Sequence, residues 1–280
     1  MNRLILFACF TVLFQKAAFS DCMPMGFRVW PEEIIIVRNP LIVFRFYERG
    51  YFRDIGRSNP TEIGKNTSFF LNSASEKIPL KLIQQNCGQS GERQLIFKPL
   101  KLLDANTKYE LSFHCSDSAL KEKFLGNIRF KPKTWTTNEM IDKQVPVWTS
   151  KPQFWYKNYV QYGCGPESYW RFCMNFKDES AVFVQTIVRH LETGRVSEFY
   201  LQPDSNSVFV GYGMCSGEFD MIPGDRYSVS FNLVDGSGKS ENHFSEPIFV
   251  RAPLESEYLS DEELEKKKCA CNSSQATTEN

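Results

Sequence analysis

Short runs of hydrophobic residues, either continuous or alternating with polar ones, recur along most of the chain. Residues 41–47 read Leu-Ile-Val-Phe-Arg-Phe-Tyr, and residues 182–188 are rich in β-branched side chains, which favours strands. Turn-forming residues such as Arg38-Asn39-Pro40 separate the runs. Because helical periodicity is not sustained in the first part of the chain, the pattern predicts an all-β protein.

The runs fall into two groups of predicted strands. The first group covers residues 27–30, 34–37, 41–47, 69–72, 78–85, 94–98, 109–114 and 127–130. The second group covers residues 154–159, 169–176, 181–191, 198–202, 207–211, 227–234 and 247–250. Beyond them, Ser260-Asp261-Glu262-Glu263 is a capping box that predicts a short charged helix over residues 264–268.

One motif occurs once in each group. Residues 103–113 and 221–231 both consist of a turn, then a tyrosine, Tyr109 or Tyr227, that opens an alternating strand. In antiparallel sandwiches a tyrosine in this place forms a tyrosine corner, in which its hydroxyl group bonds to backbone a few residues upstream. Two copies therefore predict two tandem sandwiches.

The start of the chain indicates export. A basic beginning, an apolar run over residues 4–14 and Ala18-Phe19-Ser20 have the form of a signal peptide with its cleavage site. We expect a secreted or periplasmic protein with no transmembrane segment after signal removal. The predicted organisation is a signal peptide 1–20, domains 21–135 and 150–252 joined by a linker 136–149, and a helical and disordered tail 253–280.

Eight cysteines follow the signal peptide, and an even number in an exported chain first indicates disulfide bonds. Sandwich topology favours Cys164 with Cys215, and Cys87 with Cys115 slightly ahead of other pairs in the first domain. Cys269 and Cys271 remain for each other, for a strand-end cysteine or for another chain. Cys173 lies within an apolar strand, where a buried thiol is common.

Charge and motifs exclude several classes of function. The chain has 33 basic and 33 acidic residues, so no net charge favours a nucleic-acid partner. The histidines at 114, 190 and 243 lie in or beside predicted strands without the spacing of a catalytic triad. We therefore predict no catalytic residues, no cofactor and no metal site.

Aromatic residues crowd the start of the second group of strands. The candidate binding face comprises Trp148, Trp155, Tyr156, Tyr159 and Trp170, which is more ring surface than one inward face can hold. Interfaces are enriched in tryptophan and tyrosine, so one interpretation is a platform for a protein partner or a glycan. The other interpretation is that these rings fill the core and the domain junction.

A family resemblance follows from these motifs. The tyrosine turn, Asp235-Gly-Ser-Gly-Lys-Ser240 and the last strand at 247–250 resemble the end of fibronectin type III and bacterial immunoglobulin-like domains, and Trp30-Pro31 resembles the start of such modules in exported proteins. The resemblance implies two tandem immunoglobulin-like antiparallel β-sandwiches, followed by a short C-terminal helix and a flexible tail. Families of this kind are mostly spacers, adhesins or accessory modules.

The function expected from the sequence is a non-catalytic binding or spacer module of the cell envelope or surface, whose partner is an envelope or surface protein or a glycan. One alternative is an exported accessory unit of a carbohydrate-active enzyme, which a ring-lined cleft with two carboxylates would favour. The other alternative is a disulfide-tethered subunit of an envelope assembly.

Overall fold

The computed structural model describes residues 27–47, 67–89, 92–116, 118, 121–122, 130–163, 165–213, 219, 221–241, 243–260, 262–264 and 266–267. Its strands are β1 Phe27–Trp30, β2 Ile35–Ile36, β3 Ile42–Tyr47, β4 Thr67–Asn72, β5 Lys77–Cys87, β6 Glu92–Pro99, β7 Lys108–Cys115, β8 Thr134–Thr137, β9 Val147–Tyr162, β10 Gly165–Lys177, β11 Phe183–His190, β12 Val196–Leu201, β13 Ser207–Tyr212, β14 Arg226–Val234 and β15 Ile248–Arg251. The described helix is limited to short pieces such as residues 262–264 and 266–267. The predicted all-β class is confirmed.

The first half of the chain, β1 to β8, forms one eight-stranded sheet in the order β1-β3-β6-β5-β4-β7-β8-β2. The start of β5 pairs with β4 and the rest of it with β6, so β5 connects two layers. Phe44 of β3 contacts Phe69 of β4 across the core, with ring centroids 4.7 Å apart. The two ends of the sheet therefore face each other around one hydrophobic core, as a sandwich requires.

The second half, β9 to β15, is built from seven strands in two sheets, β13-β10-β9 and β12-β11-β14-β15. Alternation along β10 turns Trp170, Phe172 and Met174 inward, where all three are fully buried. Phe172 meets Phe231 of β14 at 5.0 Å between centroids. The two antiparallel sheets thus enclose a second core. The division into domains 21–135 and 150–252 stays a prediction.

Both tyrosine turns have the same geometry. Tyr109 Oη accepts a hydrogen bond from Asp104 N at 3.0 Å, and Tyr227 Oη accepts one from Ile222 N at 3.0 Å. Each tyrosine is fully buried. Each turn also carries a residue in the left-handed region three positions before its tyrosine, which is Asn106 in the first and Gly224 in the second.

The predicted linker is shorter than expected and is held in place. The segment 136–149 overlaps the end of β8 and the start of β9, so residues 138–146 alone lie between strands. Asp142 within it is buried, its N–H donates to Asn39 Oδ1, and its carbonyl accepts from Lys239 Nζ at 2.9 Å. These bonds tie the segment to both halves of the chain.

The two halves meet in a buried joint. Its apolar part comprises Trp30, Leu41, Val43 and Ile96 from the first half with Phe183, Tyr200 and Val234 from the second. Gln94, which is fully buried, donates to Tyr200 O at 2.8 Å and accepts from Tyr200 N at 2.9 Å. Gln94 therefore pairs with the outer edge of β12 much as a neighbouring strand would.

A second glutamine does the same at the other sheet. Gln89 donates to Phe209 O at 3.2 Å and accepts from Gly211 N at 3.1 Å, along the outer edge of β13. Each sheet of the second half has one edge strand at the joint, β12 in one sheet and β13 in the other. The first half covers both of these edges. Since unpaired edges are costly to bury and prone to aggregation, this pairing stabilises the joint.

Candidate functional site

The opposite side of the second half carries the other two edge strands, β9 and β15. Each pairs with one neighbour in its sheet, β9 with β10 and β15 with β14. Phe249 of β15 is 71% exposed, and Val147 and Phe154 of β9 are also exposed. The predicted aromatic face lies mostly on β9, so this side of the molecule contains the candidate sites.

The structure separates the five predicted aromatic residues. Trp170 is 0% exposed and belongs to the core, so its assignment to a binding face is wrong. Tyr156 and Tyr159 are buried along the middle of β9, and Trp155 is partly buried beside Tyr156. Trp148 is partly buried and packs against the core at the start of β9, where it lines an open cavity.

This Trp148 cavity measures about 370 Å³. Its lining combines rings and aliphatic groups with charged and polar side chains: Trp148, Lys151, Pro152, Glu241, His243, Phe244, Ser245, Glu246, Pro247 and Ile248. Both glutamates are exposed. A concave site of this size with an apolar base and a few polar groups is typical of small-ligand sites.

The wall of the cavity is fixed to the core strands. Ser245 N donates to Phe231 O at 2.7 Å, and Phe231 N donates to Ser245 Oγ at 3.1 Å. The loop at Ser245 is therefore bonded to β14, whose residue Phe231 is fully buried. The cavity is formed by strand β9 and by a loop that is hydrogen-bonded to β14. We therefore expect its shape to be largely formed before a ligand binds. Sequence reasoning found Trp148 but missed Phe244 and the two glutamates.

The middle of β9 is covered by the C-terminal segment, which we define as the described residues from 253 to 267. Leu259 N donates to Asn158 Oδ1 at 2.7 Å, and Lys157 Nζ lies 2.7 Å from Glu257 Oε2. Lys267 Nζ lies 5.7 Å from the centre of the Tyr156 ring. Burial raises the pKa of Tyr156 to about 12. The predicted open face is thus closed here by the chain itself.

His190, Glu192 and Asp225 form a cluster in which three potential metal-ligand atoms lie within 4.8 Å of one another. His190 Nδ1 accepts from Thr193 N at 3.2 Å, which leaves Nε2 to donate to Asp225 Oδ2 at 3.1 Å. Glu192 accepts from Arg226 Nε at 3.0 Å. Protein groups therefore already engage these atoms, and the cluster joins the hairpin turn to the tyrosine turn.

The described cysteines change part of the predicted disulfide framework. Cys173 is disulfide-bonded, so its assignment as a buried thiol is wrong. Cys87 and Cys115 carry thiols, whose sulfur atoms accept hydrogen bonds from Arg93 and Thr67 respectively. The predicted bond between them is not formed; Cys87 ends β5 beside β6, and Cys115 ends β7 beside β4.

Several predicted features lie outside the described residues. These are the signal peptide 1–20 and the cysteines Cys164, Cys215, Cys269 and Cys271. Within the part of the chain that the structure describes, no helix is both long and apolar enough to cross a membrane.

No protein-family model and no curated protein matches this sequence. Among solved structures, the chain is similar to a two-domain fibronectin type III segment of chicken tenascin, with 13% identity and a TM-score of 0.22 over 82% of this chain and 99% of that one. It is similar to the chicken interferon gamma receptor alpha chain, with 12% identity and a TM-score of 0.25 over 82% and 98%. At these values the similarity identifies no relative.

The chain is also similar to a pullulanase from Anoxybacillus sp. LM18-11, solved in complex with maltotriose, with 7% identity and a TM-score of 0.24. That match covers 77% of this chain, and the chain spans about a quarter of the pullulanase, 25% of its length.

Proposed function

We propose that this protein is an exported, non-catalytic binding module and that the Trp148 cavity is its ligand site. The observation that supports the proposal is the cavity itself, because it places the exposed part of an anchored tryptophan beside a second ring and several charged groups. A module that served only as a spacer would not need such a concavity. The joint between the halves would hold the cavity in a fixed orientation.

The ligand class that fits this lining is a glycan. A pyranose ring has an apolar face that stacks on aromatic rings such as Trp148 and Phe244, and hydroxyl groups that bond to carboxylates, ammonium and imidazole groups. Lys151, Glu241 and His243 supply these three partners around the cavity. In such sites the apolar side chains hold the ligand, and a small number of convergent polar groups fixes its orientation.

The carbohydrate-active alternative rests on a specific feature, the presence of both Glu241 and Glu246 in a ring-lined cavity. Glycosidases use a pair of carboxyl groups on either side of the scissile bond. Their general acid is normally withdrawn from water so that it keeps its proton, whereas both glutamates here are exposed. Binding without hydrolysis is therefore the function that we favour.

Export is supported by two independent features. The first is the signal-peptide pattern of residues 1–20. The second is the disulfide-bonded Cys173, since disulfide bonds persist mainly in oxidising compartments. We propose on this basis that the mature chain acts outside the cytoplasm, at the cell surface, in the envelope or in the medium.

The test is a panel of soluble oligosaccharides titrated into the mature chain, residues 21–280, with isothermal titration calorimetry as the readout, because the heat of binding does not depend on the tryptophan that the variant removes. We expect at least one sugar to bind, and Trp148→Ala to weaken that binding at least tenfold because the stacking platform is lost. Trp155→Ala is the matched control and should leave binding within twofold. Binding that is equally reduced by both changes, or no binding by any sugar, would contradict the proposal.

A further inference from the structure

The C-terminal segment is held on β9 by a small number of polar contacts. Besides the bond from Leu259 N to Asn158 and the ion pair of Glu257 with Lys157, the segment buries Pro253, whereas Leu259 and Leu264 are only partly buried. Leu254 is 44% exposed and Tyr258 is 57% exposed. Segments with little buried apolar surface open at low free-energy cost, so this cover is far less firmly attached than a core strand.

The surface beneath the segment is more deeply buried than the segment itself. Tyr156 and Tyr159 are buried there, and Asn158 between them is 0% exposed. The Asn158 amide donates to Tyr169 Oη at 3.2 Å, which fixes its orientation and leaves Oδ1 directed at the C-terminal segment. β9 therefore carries a preformed hydrogen-bond acceptor on an aromatic surface.

The acceptor determines what chemistry can replace the segment. A buried amide oxygen that loses its donor costs free energy, so an incoming ligand must offer a hydrogen-bond donor, such as an N–H group, at the same place. In the present structure that donor is the backbone N–H of Leu259, at 2.7 Å. A peptide backbone supplies such a donor, whereas a hydrocarbon surface does not.

Charge adds a second requirement. Lys157 Nζ lies 2.7 Å from the carboxylate of Glu257, two residues before the N–H donor. The segment is acidic around these positions, with Glu255, Glu257 and the exposed Glu262. An acidic residue two positions before the donated N–H is therefore the pattern that the surface selects.

We propose that the free edge of β9 over Tyr156, Lys157, Asn158 and Tyr159, whose side chains alternate between its two faces, is a peptide-binding surface, separate from the Trp148 cavity, and that the C-terminal segment occupies it as an intramolecular ligand. An acidic peptide of a partner protein displaces the segment by making the same two contacts. This inference does not depend on the ligand of the Trp148 cavity, since the two sites share no lining residue.

The experiment uses a fluorescent peptide identical to residues 253–267 and the full mature chain. A Glu257→Lys, Leu259→Pro double variant of the chain removes the ion pair and the N–H donor from its own segment, and leaves β9 unchanged. We expect the labelled peptide to bind this variant at least tenfold more tightly than the wild type, whose surface is already occupied. Fluorescence anisotropy measures both affinities.

Two controls decide the interpretation. Glu262→Lys makes the same charge change at a residue that bonds to Lys266 within the segment, and it should bind the peptide as weakly as the wild type. A labelled peptide carrying the Leu259→Pro change should fail to bind the double variant. Equal affinity of the unaltered peptide for wild type and double variant, or no binding to either, would overturn the proposal. Hydrogen exchange at residues 156–159 verifies separately that the double variant is folded and that its β9 surface is open.

Discussion

At the scale of single residues, the two tyrosine turns show how a short motif specifies local geometry. Tyr109 and Tyr227 each accept a hydrogen bond from the N–H five residues earlier. The motif predicts this bond from the sequence, because a turn followed by tyrosine and an alternating strand leaves few other places for the ring. The shared left-handed residue at Asn106 and Gly224 is less visible, since asparagine and glycine look unrelated until their common tolerance of positive φ is considered.

Replacing Tyr227 with phenylalanine should destabilise the protein while leaving its fold intact. The ring would stay in the core, but the N–H of Ile222 would lose its acceptor, which costs about 1–3 kcal/mol. Urea unfolding followed by fluorescence measures the loss. Exposed Tyr258→Phe is the control, and a Tyr227→Phe chain as stable as that control would contradict the assignment.

The left-handed residues provide a second test. Gly224→Ala should lower the free energy of unfolding by about 1 kcal/mol, because alanine is strained at a positive φ. A steric clash would not add to this cost, because the nearest atom to an added Cβ is Leu254 Cδ2 at 3.4 Å. Asn106→Gly should be close to neutral, because φ at Asn106 is also positive, at 52°. Thermal unfolding of both variants would distinguish the two effects; a neutral Gly224→Ala would show that the turn does not need this conformation.

At the scale of elements, β9 is the strand that sequence reasoning described least well. The prediction covered residues 154–159, whereas the strand runs over Val147–Tyr162. Its first part is polar and interrupted by Pro152, which is typical of a linker, yet the partner strand β10 continues the pairing through register shifts. A single sequence shows no partner strand, so neither this extension nor the cover supplied by the C-terminal segment could be predicted from it.

The contact between β9 and the C-terminal segment should depend on pH. Desolvation alone would raise the pKa of Glu257, but hydrogen bonds from Lys157 and from Leu254 N outweigh it and lower that pKa below its ordinary value of 4.5. A carboxyl group with a lowered folded-state pKa stabilises the contact above pH 4.5 and loses this effect as the pH falls through the lowered pKa.

Hydrogen exchange at Leu259 and at residues 156–159 measures this contact directly. We expect protection to be constant from pH 7 to about pH 5 after correction for intrinsic exchange, and to fall below that. In a Glu257→Gln chain the step should disappear. A step of equal size in that variant would assign the titration to another group.

At the scale of the whole molecule, the joint is the feature that determines the relative position of the two halves. Gln89 lies in the polar run after β5 and Gln94 near the start of β6, where an exposed side chain is the ordinary expectation, and nothing in the sequence marks them as buried. They are buried because the second half covers them and supplies backbone partners. The class and most strands follow from local pattern, but such long-range pairing does not.

Gln94→Ala should lower the free energy of unfolding by more than the removal of an exposed side chain does. It leaves the N–H and the carbonyl of Tyr200 without their partner, at a cost of about 1–3 kcal/mol for each buried group. Urea unfolding and small-angle scattering should show lower stability and a wider distribution of overall dimensions. Gln153→Ala, at an exposed position of β9, is the control, and equal behaviour of the two variants would mean that the joint does not depend on Gln94.

The central claim is that the molecule binds a ligand in the Trp148 cavity without altering it. The most direct measurement is a calorimetric titration of the wild-type and Trp148→Ala chains with the tightest-binding sugar of the panel, with the mass of the sugar recorded before and after incubation. We predict saturable binding at one site, an affinity at least tenfold lower in the variant, and an unchanged mass. Cleavage of the sugar, or binding that Trp148→Ala leaves intact, would contradict the account.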